Sequence, residues 1–549
     1  LLAGAAAAAL AMVPTSVGAR IAVSEPDRTY VEARAASMNG DHGRAAELLA
    51  SLSASQPGQP ELAQRALAEA MRAGQMDLAI ALASKIPAAK LPGDARLLMA
   101  AEEIRRRRPD RANAWLNATR ENGDLTFLVP LVNAWAAADR NDMAGSLAAL
   151  DQIAGGNLLV PLAAEERALI LLRFKRTADA EPYARAAVGR GGAREDRLRL
   201  AFADGFLAAG DRQRALMIIE GMGAGETAAR ARISAGRSGG QAIDTLPKAY
   251  GEVLAAFGAD LTRLQRGTPP IGLVQVARYI NPKSSSTVAL LALLLSGQDQ
   301  TDHALALLRT VQGDDPLISQ IRDVQTRILT DNKRYDEAYR IAAAAAAAPG
   351  AEAIDFSRFG DVLQAMKRSG PAADAYARAI ALAQKGSGQS DLWTLLLLQA
   401  GALEDANRWP EARAALQRAL AIAPDQPLLL NFMGYGQLER GENLDSAEAM
   451  IRKASELAPD DASIADSLGW AQFKRGKTDE AIATLQRAAE KDPGQAEIQE
   501  HLGDALYKSG RRLEARFAWN AALVTAEDDV AGRVKAKLAS GLTTANAAP

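Results

Sequence analysis

Small and apolar residues recur along this chain with the period of a helix. Three triplets toward its end show the pattern most clearly: Ala447, Ile451 and Ala454; Ala481, Leu485 and Ala488; Ala515, Trp519 and Ala522. Steps of four and three residues place each triplet on one face of an α-helix. Runs of β-branched or aromatic residues long enough for a strand are scarce. Ala and Leu dominate instead, and both lose little on entering a helix. The pattern predicts an all-α chain.

The triplets belong to longer segments that align with one another. They begin at Pro427 (PLLLNFMGYGQLERGENLDSAEAMIRKASELAPD), Ala462 (ASIADSLGWAQFKRGKTDEAIATLQRAAEKDP) and Ala496 (AEIQEHLGDALYKSGRRLEARFAWNAAL). Equivalent glycines stand at Gly434, Gly469 and Gly503, and equivalent alanines at Ala447, Ala481 and Ala515. Each segment predicts two antiparallel helices. The glycine lies in the first helix, where the second packs close, and the alanine opens the second. Ile451, Leu485 and Trp519 are expected to fill the gap between repeats. Pro459 and Pro493 end second helices, because proline cannot continue them. A period of 34 to 35 residues with these small residues resembles the tetratricopeptide repeat (TPR). The resemblance implies a TPR solenoid, antiparallel helix pairs stacked into a right-handed superhelix, in which neighbouring repeats supply each other's core.

The same frame runs backward through Ala412, Ala372, Ala338 and Ala304, then through Ala215, Ala180, Ala144, Ala112, Ala79 and Ala45. About fourteen helix pairs are expected. The step from Ala215 to Ala304 is too long for regular units. Within it, 251–264 and 271–282 read as one pair, with Gly272 in the alanine position. The expected organisation is a signal-peptide remnant over 1–19, a degenerate array over 20–220, an irregular helical middle over 221–300, and a second array over 301–526. Residues 527–549 should form a capping helix, within 528–542, and a disordered tail.

Composition narrows function by exclusion. Lys and Arg number 64 against 66 Asp and Glu, a net charge of −2, so no global field favours nucleic acid or an anionic membrane. The run Arg105–Arg108 precedes Pro109 and reads as a helix end, where arginine complements the dipole. There is no cysteine, which removes disulfides, thiolate metal sites and cysteine nucleophiles. The apolar run LLAGAAAAALAMV followed by Val17-Gly18-Ala19 reads as the later part of a secretory signal peptide. It is too short to span a bilayer, and no other stretch is apolar enough. A periplasmic location is expected, with the cytoplasm as the alternative; a cleaved start at Arg20 would separate them.

No catalytic constellation emerges. Gly236-Arg-Ser238-Gly-Gly240 matches a nucleophile elbow in letters but lacks the preceding strand. GMGAGE at 221–226 lacks the Lys-Ser/Thr of a phosphate loop. His42, His303 and His501 fall in separate repeats with no ligand spacing. No stretch outside the repeat frame is large enough for a catalytic domain. Catalytic residues, cofactor and metal are therefore expected to be absent, and the chain is not expected to be an enzyme.

What remains is surface. In a TPR superhelix the first helix of each pair lines the groove. Its outward positions here are Asn431, Tyr435 and Glu439; Asp466, Trp470 and Lys474; Glu500, Asp504 and Lys508. An aromatic beside charges can anchor a peptide or partner surface; the same rings could equally be packing between repeats. The Lys/Asn pattern that clamps a C-terminal carboxylate does not occur at these positions.

The strings DSLGWAQFKRGKTDEAIATLQRAAEKDP (466–493), EIQEHLGDALYKSGRRLEARFAWNAAL (497–523) and VKAKLASGL (534–542) are more specific than a generic repeat. They resemble large envelope TPR proteins of Gram-negative bacteria. One type is the outer-membrane lipoprotein adaptor that joins a carboxyl-terminal processing protease to peptidoglycan hydrolases. The resemblance implies an envelope scaffold binding other proteins or peptides, such as a protease or hydrolase. The lipidation cysteine of that type is missing, which counts against membrane anchoring. The alternatives are a cytoplasmic assembly factor and a purely structural envelope protein.

Overall fold

A computed structural model of the chain describes residues 25–119, 123–189, 194–222, 225–264, 268–384 and 392–548. The signal-like stretch 1–19 lies outside them, as do residues 385–391 and two residues of the 221–226 stretch. Among the described residues every regular element is helical, and no helix is long and apolar enough to cross a membrane. The helices divide into two compact units: residues up to 218 with 231–315, and 219–230 with residues from 316 onward.

The first unit opens with six antiparallel pairs: α1 (Glu25–Met38) with α2 (His42–Ser55), α3 (Pro60–Ala73) with α4 (Met76–Ala83), α5 (Gly93–Arg105) with α6 (Pro109–Leu116), α7 (Val129–Asp139) with α8 (Met143–Leu150), α9 (Ala163–Arg173) with α10 (Thr177–Val188), and α11 (Glu195–Ala208) with α12 (Arg212–Ile218). A left-handed residue turns the chain from first to second helix: Gly40, Gly74, Arg107, Asn141, Lys175 and Gly210. The buried small residue follows five positions later at Ala45, Ala79, Ala112, Ser146, Ala180 and Ala215. The slot assigned to Ala144 therefore belongs to Ser146. Ala144 is exposed, and the Ser146 hydroxyl is accommodated by donating to the Asp142 carbonyl at 2.7 Å.

Beyond α13 (Glu226–Ser234), α14 (Leu246–Arg263) and α15 (Ile271–Ile280) pair with each other but do not extend the array. They lie across its first helices, α15 against α3 and α5 and α14 against α5 and α7. Gly272 is thus not the close contact of a regular pair. It faces Asp94 and Met71, while Gly258 gives room to Val274. Tyr250 donates to the Leu97 carbonyl, Gln275 to that of Arg72, and Tyr279 to Glu102 at 2.7 Å. This second layer explains why α5 and α7 carry so little polar face: residues 97–101 and 134–138 are buried without a break. The pair α16 (Ser285–Ser296) and α17 (Thr301–Leu308), with the left-handed turn at Asp299, completes the unit. Residues 231–300 of the middle region are therefore part of the first unit, because the apolar faces of α14 and α15 find their complement on that array.

The second unit continues with α18 (Ile318–Asp331) and α19 (Tyr335–Ala346), α20 (Ala353–Ala365) and α21 (Ser369–Ala383), α22 (Leu392–Asp405) and α23 (Trp409–Ile422), α24 (Pro427–Glu439) and α25 (Leu444–Leu457), α26 (Ala462–Lys474) and α27 (Thr478–Lys491), α28 (Ala496–Lys508) and α29 (Arg512–Ala522), then α30 (Asp528–Ser540). Gly434, Gly469 and Gly503 receive Ile451, Leu485 and Trp519 of their own repeats, where the second helix packs close, and these side chains also join clusters with the following segment. A Cβ at any of the three would collide with that side chain. Burying a residue such as Leu485 fully contributes about 1.5–3 kcal/mol, and the missing Cβ makes that depth possible.

Candidate protein-interaction surface

The nine candidate residues stand three before, one after and five after the glycine of α24, α26 and α28. Steps of four residues put each set on one helix face. The three helices present these faces together, but the chain's own later segments cover part of them.

On α24 the face remains accessible. Asn431 and Tyr435 are partly exposed and Glu439 is exposed. Burial, with the carboxylates of Glu439 and Asp466 nearby, pushes the Tyr435 phenol well above its ordinary pKa. Tyr435 packs beside Leu438 and Trp470.

On α26 the tryptophan is not an outward anchor. Trp470 is only 1% exposed. It stacks on His501 at 4.2 Å and on Phe473 at 4.9 Å between ring centroids, with the Lys474 ammonium 5.2 Å over its ring. Ala548 belongs to the same buried cluster. Asp466 is buried because His501 Nδ1 lies 2.9 Å from both its carboxylate oxygens. Burial alone would lower the His501 pKa; the charge and hydrogen bond of Asp466, aided by Asp504 and Glu500, raise it above the ordinary value. Trp470 is thus packing between repeats, and Lys474 is the exposed member of its set.

On α28, Glu500 and Asp504 have no exposed surface. The Lys537 ammonium of α30 donates to Glu500 at 2.6 Å and to Asp504 at 2.7 Å. Arg533 makes two further bonds to Glu500, at 3.0 and 2.7 Å. Trp519 Nε1 and the Ala548 amide donate to Asp504 at 2.9 and 3.2 Å. Burial would raise both carboxyls. Two cations hold Glu500 below its usual value, whereas Asp504, with Lys537 as its one close cation, stays above its own. Lys508 remains exposed. Asn431, Tyr435, Glu439, Lys474 and Lys508 therefore form the accessible set, while Asp466, Trp470, Glu500 and Asp504 form a buried cluster under α30 and residues 543–548.

Residues 543–548, expected to be disordered, are folded. The Thr543 amide donates to the Asn546 side chain at 2.7 Å, and Asn546 Nδ2 donates to the Gly541 carbonyl at 2.9 Å. Asn546 is 7% and Ala548 3% exposed. The signal available in sequence was the pair of basic residues in α30 opposite two acids in α28, but their pairing needs the chain to double back.

The inner face of the first unit is filled. Arg194 joins Glu165 and Glu252 at 2.9 and 3.1 Å, and Arg197 lies 3.4 Å from Glu252. Trp135 Nε1 donates to Glu166 at 2.7 Å. Burial and the adjacent Glu165 push the Glu166 carboxyl up to about 8. The elbow-like stretch 236–240 is a loop fastened to this face: the Gly239 and Gln241 amides donate to Asp204 at 2.7 and 2.6 Å. The basic run is also engaged internally. Arg105 lies 4.3 Å over the Tyr279 ring and Arg106 bonds Glu102 at 2.8 Å. Among the described residues no three His, Cys, Asp or Glu side chains gather as a metal site.

Comparison with known proteins agrees with the repeat geometry. Residues 358–427, 434–496 and 467–531 match the tetratricopeptide repeat family. No curated protein matches the chain. Among solved structures, the APC/C hetero-tetramer Cut9–Hcn1 aligns over 95% of this chain and 97% of its own, at 14% identity and TM-score 0.39. A tetratricopeptide repeat protein from Parabacteroides merdae covers 47% of this chain and 98% of its own, at 13% identity and TM-score 0.38. YrrB, a TPR protein with an unusual peptide-binding site, covers 34% and 92%, at 20% identity and TM-score 0.26.

Proposed function

We infer that this chain works as a protein-interaction scaffold: it is an all-α solenoid of helix pairs, with tetratricopeptide repeats matched over residues 358–427 and 434–531. We propose that it is a non-catalytic adaptor of the bacterial envelope, binding a protease or cell-wall hydrolase and bringing it to a second protein. A scaffold of this kind acts by raising one partner's effective concentration near another. The observation that carries the binding role is the accessible face of α24, where Asn431, Tyr435 and Glu439 stand in register beside Lys474. An aromatic ring flanked by a carboxylate and an amide suits a peptide or loop with both apolar and polar contacts. The envelope location rests on the signal-like start and on the resemblance of residues 440–542 to envelope proteins.

Affinity capture from a native envelope extract tests this reading, with Tyr435→Ala and Glu439→Lys as the control. Glu439 is exposed and Tyr435 partly exposed, and circular dichroism would check that the control keeps its helix content. Mass spectrometry should recover a processing protease or peptidoglycan hydrolase that the control loses. Recovery of cytoplasmic proteins alone, or of the same proteins with the control, would reject the adaptor role. An N-terminus at Arg20 in protein isolated from its native host would support export.

A further inference from the structure

The segment after α30 is seated on the inner face of the second array in the manner of a bound peptide. Its fold is internal: the Asn546 side chain bridges Thr543 and Gly541, and the Asn546 and Ala547 amides donate back to the Thr543 carbonyl at 3.3 and 3.0 Å. The Ala548 amide ties it to the array by donating to Asp504 at 3.2 Å. Its apolar contact is the Ala548 methyl, buried with Leu438, Leu468, Trp470 and Ala471. The seat is built from residues that do not depend on the segment. Asp504 is held by Lys537 and Trp519, and Trp470 by its stack with His501 and Phe473.

We propose that residues 543–548 are an internal competitor for a peptide-binding site made by Trp470 and Asp504. The site takes a peptide segment that presents one small apolar side chain and a backbone N–H. The argument is one of unequal attachment. The seat is prepaid in structure, with an oriented carboxylate and an indole fixed on both sides, whereas among the described residues the occupant adds the Ala548 amide bond and the buried Asn546 and Ala548 side chains. Contacts this few are readily exchanged for those of a partner that makes more. A tethered occupant competes through its high effective concentration and not through strength, so it screens the indole from weak, non-specific ligands and yields to a better one. Asp504, buried and acceptor-rich, reads the amide donor; a side chain larger than alanine does not fit beside Trp470 while its neighbours hold their places.

The proposal rests on the inner face being a protein-binding surface, and a purified system tests it separately from capture. The probe is the fluorescein-labelled peptide GLTTANAAP, residues 541–549 of this chain, titrated by fluorescence anisotropy. A chain ending at Leu542 should bind it saturably and at least tenfold more tightly than the full chain. Full-length Ala548→Arg, whose side chain cannot occupy the buried slot, should bind as the shortened chain does. Trp470→Ala in the shortened chain should remove binding; circular dichroism would check that helix content is kept. Equal binding by the shortened and full chains, whether strong, weak or undetectable, overturns the proposal. So does an Ala548→Arg variant that behaves like the full chain. Either result leaves the adaptor reading standing with its ligand elsewhere on the face.

Discussion

Replacing Lys537 by methionine would strand charge in the interior of the second unit. The ammonium sits 2.6 Å from Glu500 and 2.7 Å from Asp504, and all three side chains lack exposed surface. Removing one partner of a buried ion pair costs about 3–5 kcal/mol, because the other charge is left desolvated. Here the loss should fall near the lower end, about 3 kcal/mol, since Glu500 retains both bonds from Arg533. The stranded group is Asp504, left with the Trp519 and Ala548 donors. Its pKa already lies above the ordinary value and would rise further. A carboxyl with a raised folded pKa destabilises the folded state as pH rises through that range, and proton uptake relieves it. The difference between wild type and variant should therefore be largest near neutral pH and shrink on acidification. Asp504→Asn in the Lys537→Met background keeps an acceptor and removes the charge, so it should recover more than half the loss. Solenoids need not unfold in one step, so the measurement is hydrogen exchange over α28 to α30, converted to local opening free energies. A loss below about 1 kcal/mol, the scale of an exposed pair, would refute the reasoning, as would a loss that grows on acidification.

Other outcomes follow from the same contacts. Gly503→Ala forces a Cβ into the Trp519 ring and should destabilise the α28–α29 repeat by about 1–3 kcal/mol; the drop should be visible in urea unfolding and smaller in a Trp519→Leu background. Lys333 and Lys367 are exposed with φ of 59°, a region that disfavours side chains. Changing either to glycine should therefore stabilise the second unit by about 0.5–1 kcal/mol in thermal melts. Glu166 should be protonated at neutral pH. Between the ordinary 4.5 and about 8 the folded state holds a proton that the unfolded state lacks, so this group reduces stability as pH rises. Glu166→Gln should remove that contribution, gaining on wild type by up to about 1.4 kcal/mol per pH unit across the window; parallel unfolding curves from pH 5 to 8 would check it.

The repeat could be read from sequence because it is a local code. A left-handed turn and a small residue five positions later recur at nearly constant spacing, and Gly434, Gly469 and Gly503 mark the helix crossings without reference to distant residues. Where the code is degenerate it misleads: Ser146 is polar and Ala144 near it is small and apolar, yet the turn at Asn141 sets Ser146 in the buried slot. The candidate face was half legible. Spacing put Asp466, Trp470, Glu500 and Asp504 on the same side as Tyr435, as the structure does. It could not tell that a later segment covers them.

Sequence by itself determined that the chain is helical, that its helices pair, and that the candidate positions of each helix share one face. These follow from periods of three, four and about 34 residues, over which a short chain segment has little choice. Tertiary structure decided which inward positions are open. The Gln275–Arg72 bond spans 203 residues and the Ala548–Asp504 bond 44, and neither segment carries a periodic mark. Helices α14 and α15 fill the first array, and residues 543–548 cover part of the second, because each buries apolar surface and satisfies polar groups on residues remote in the chain. Complementarity of that kind exists only once both surfaces have formed.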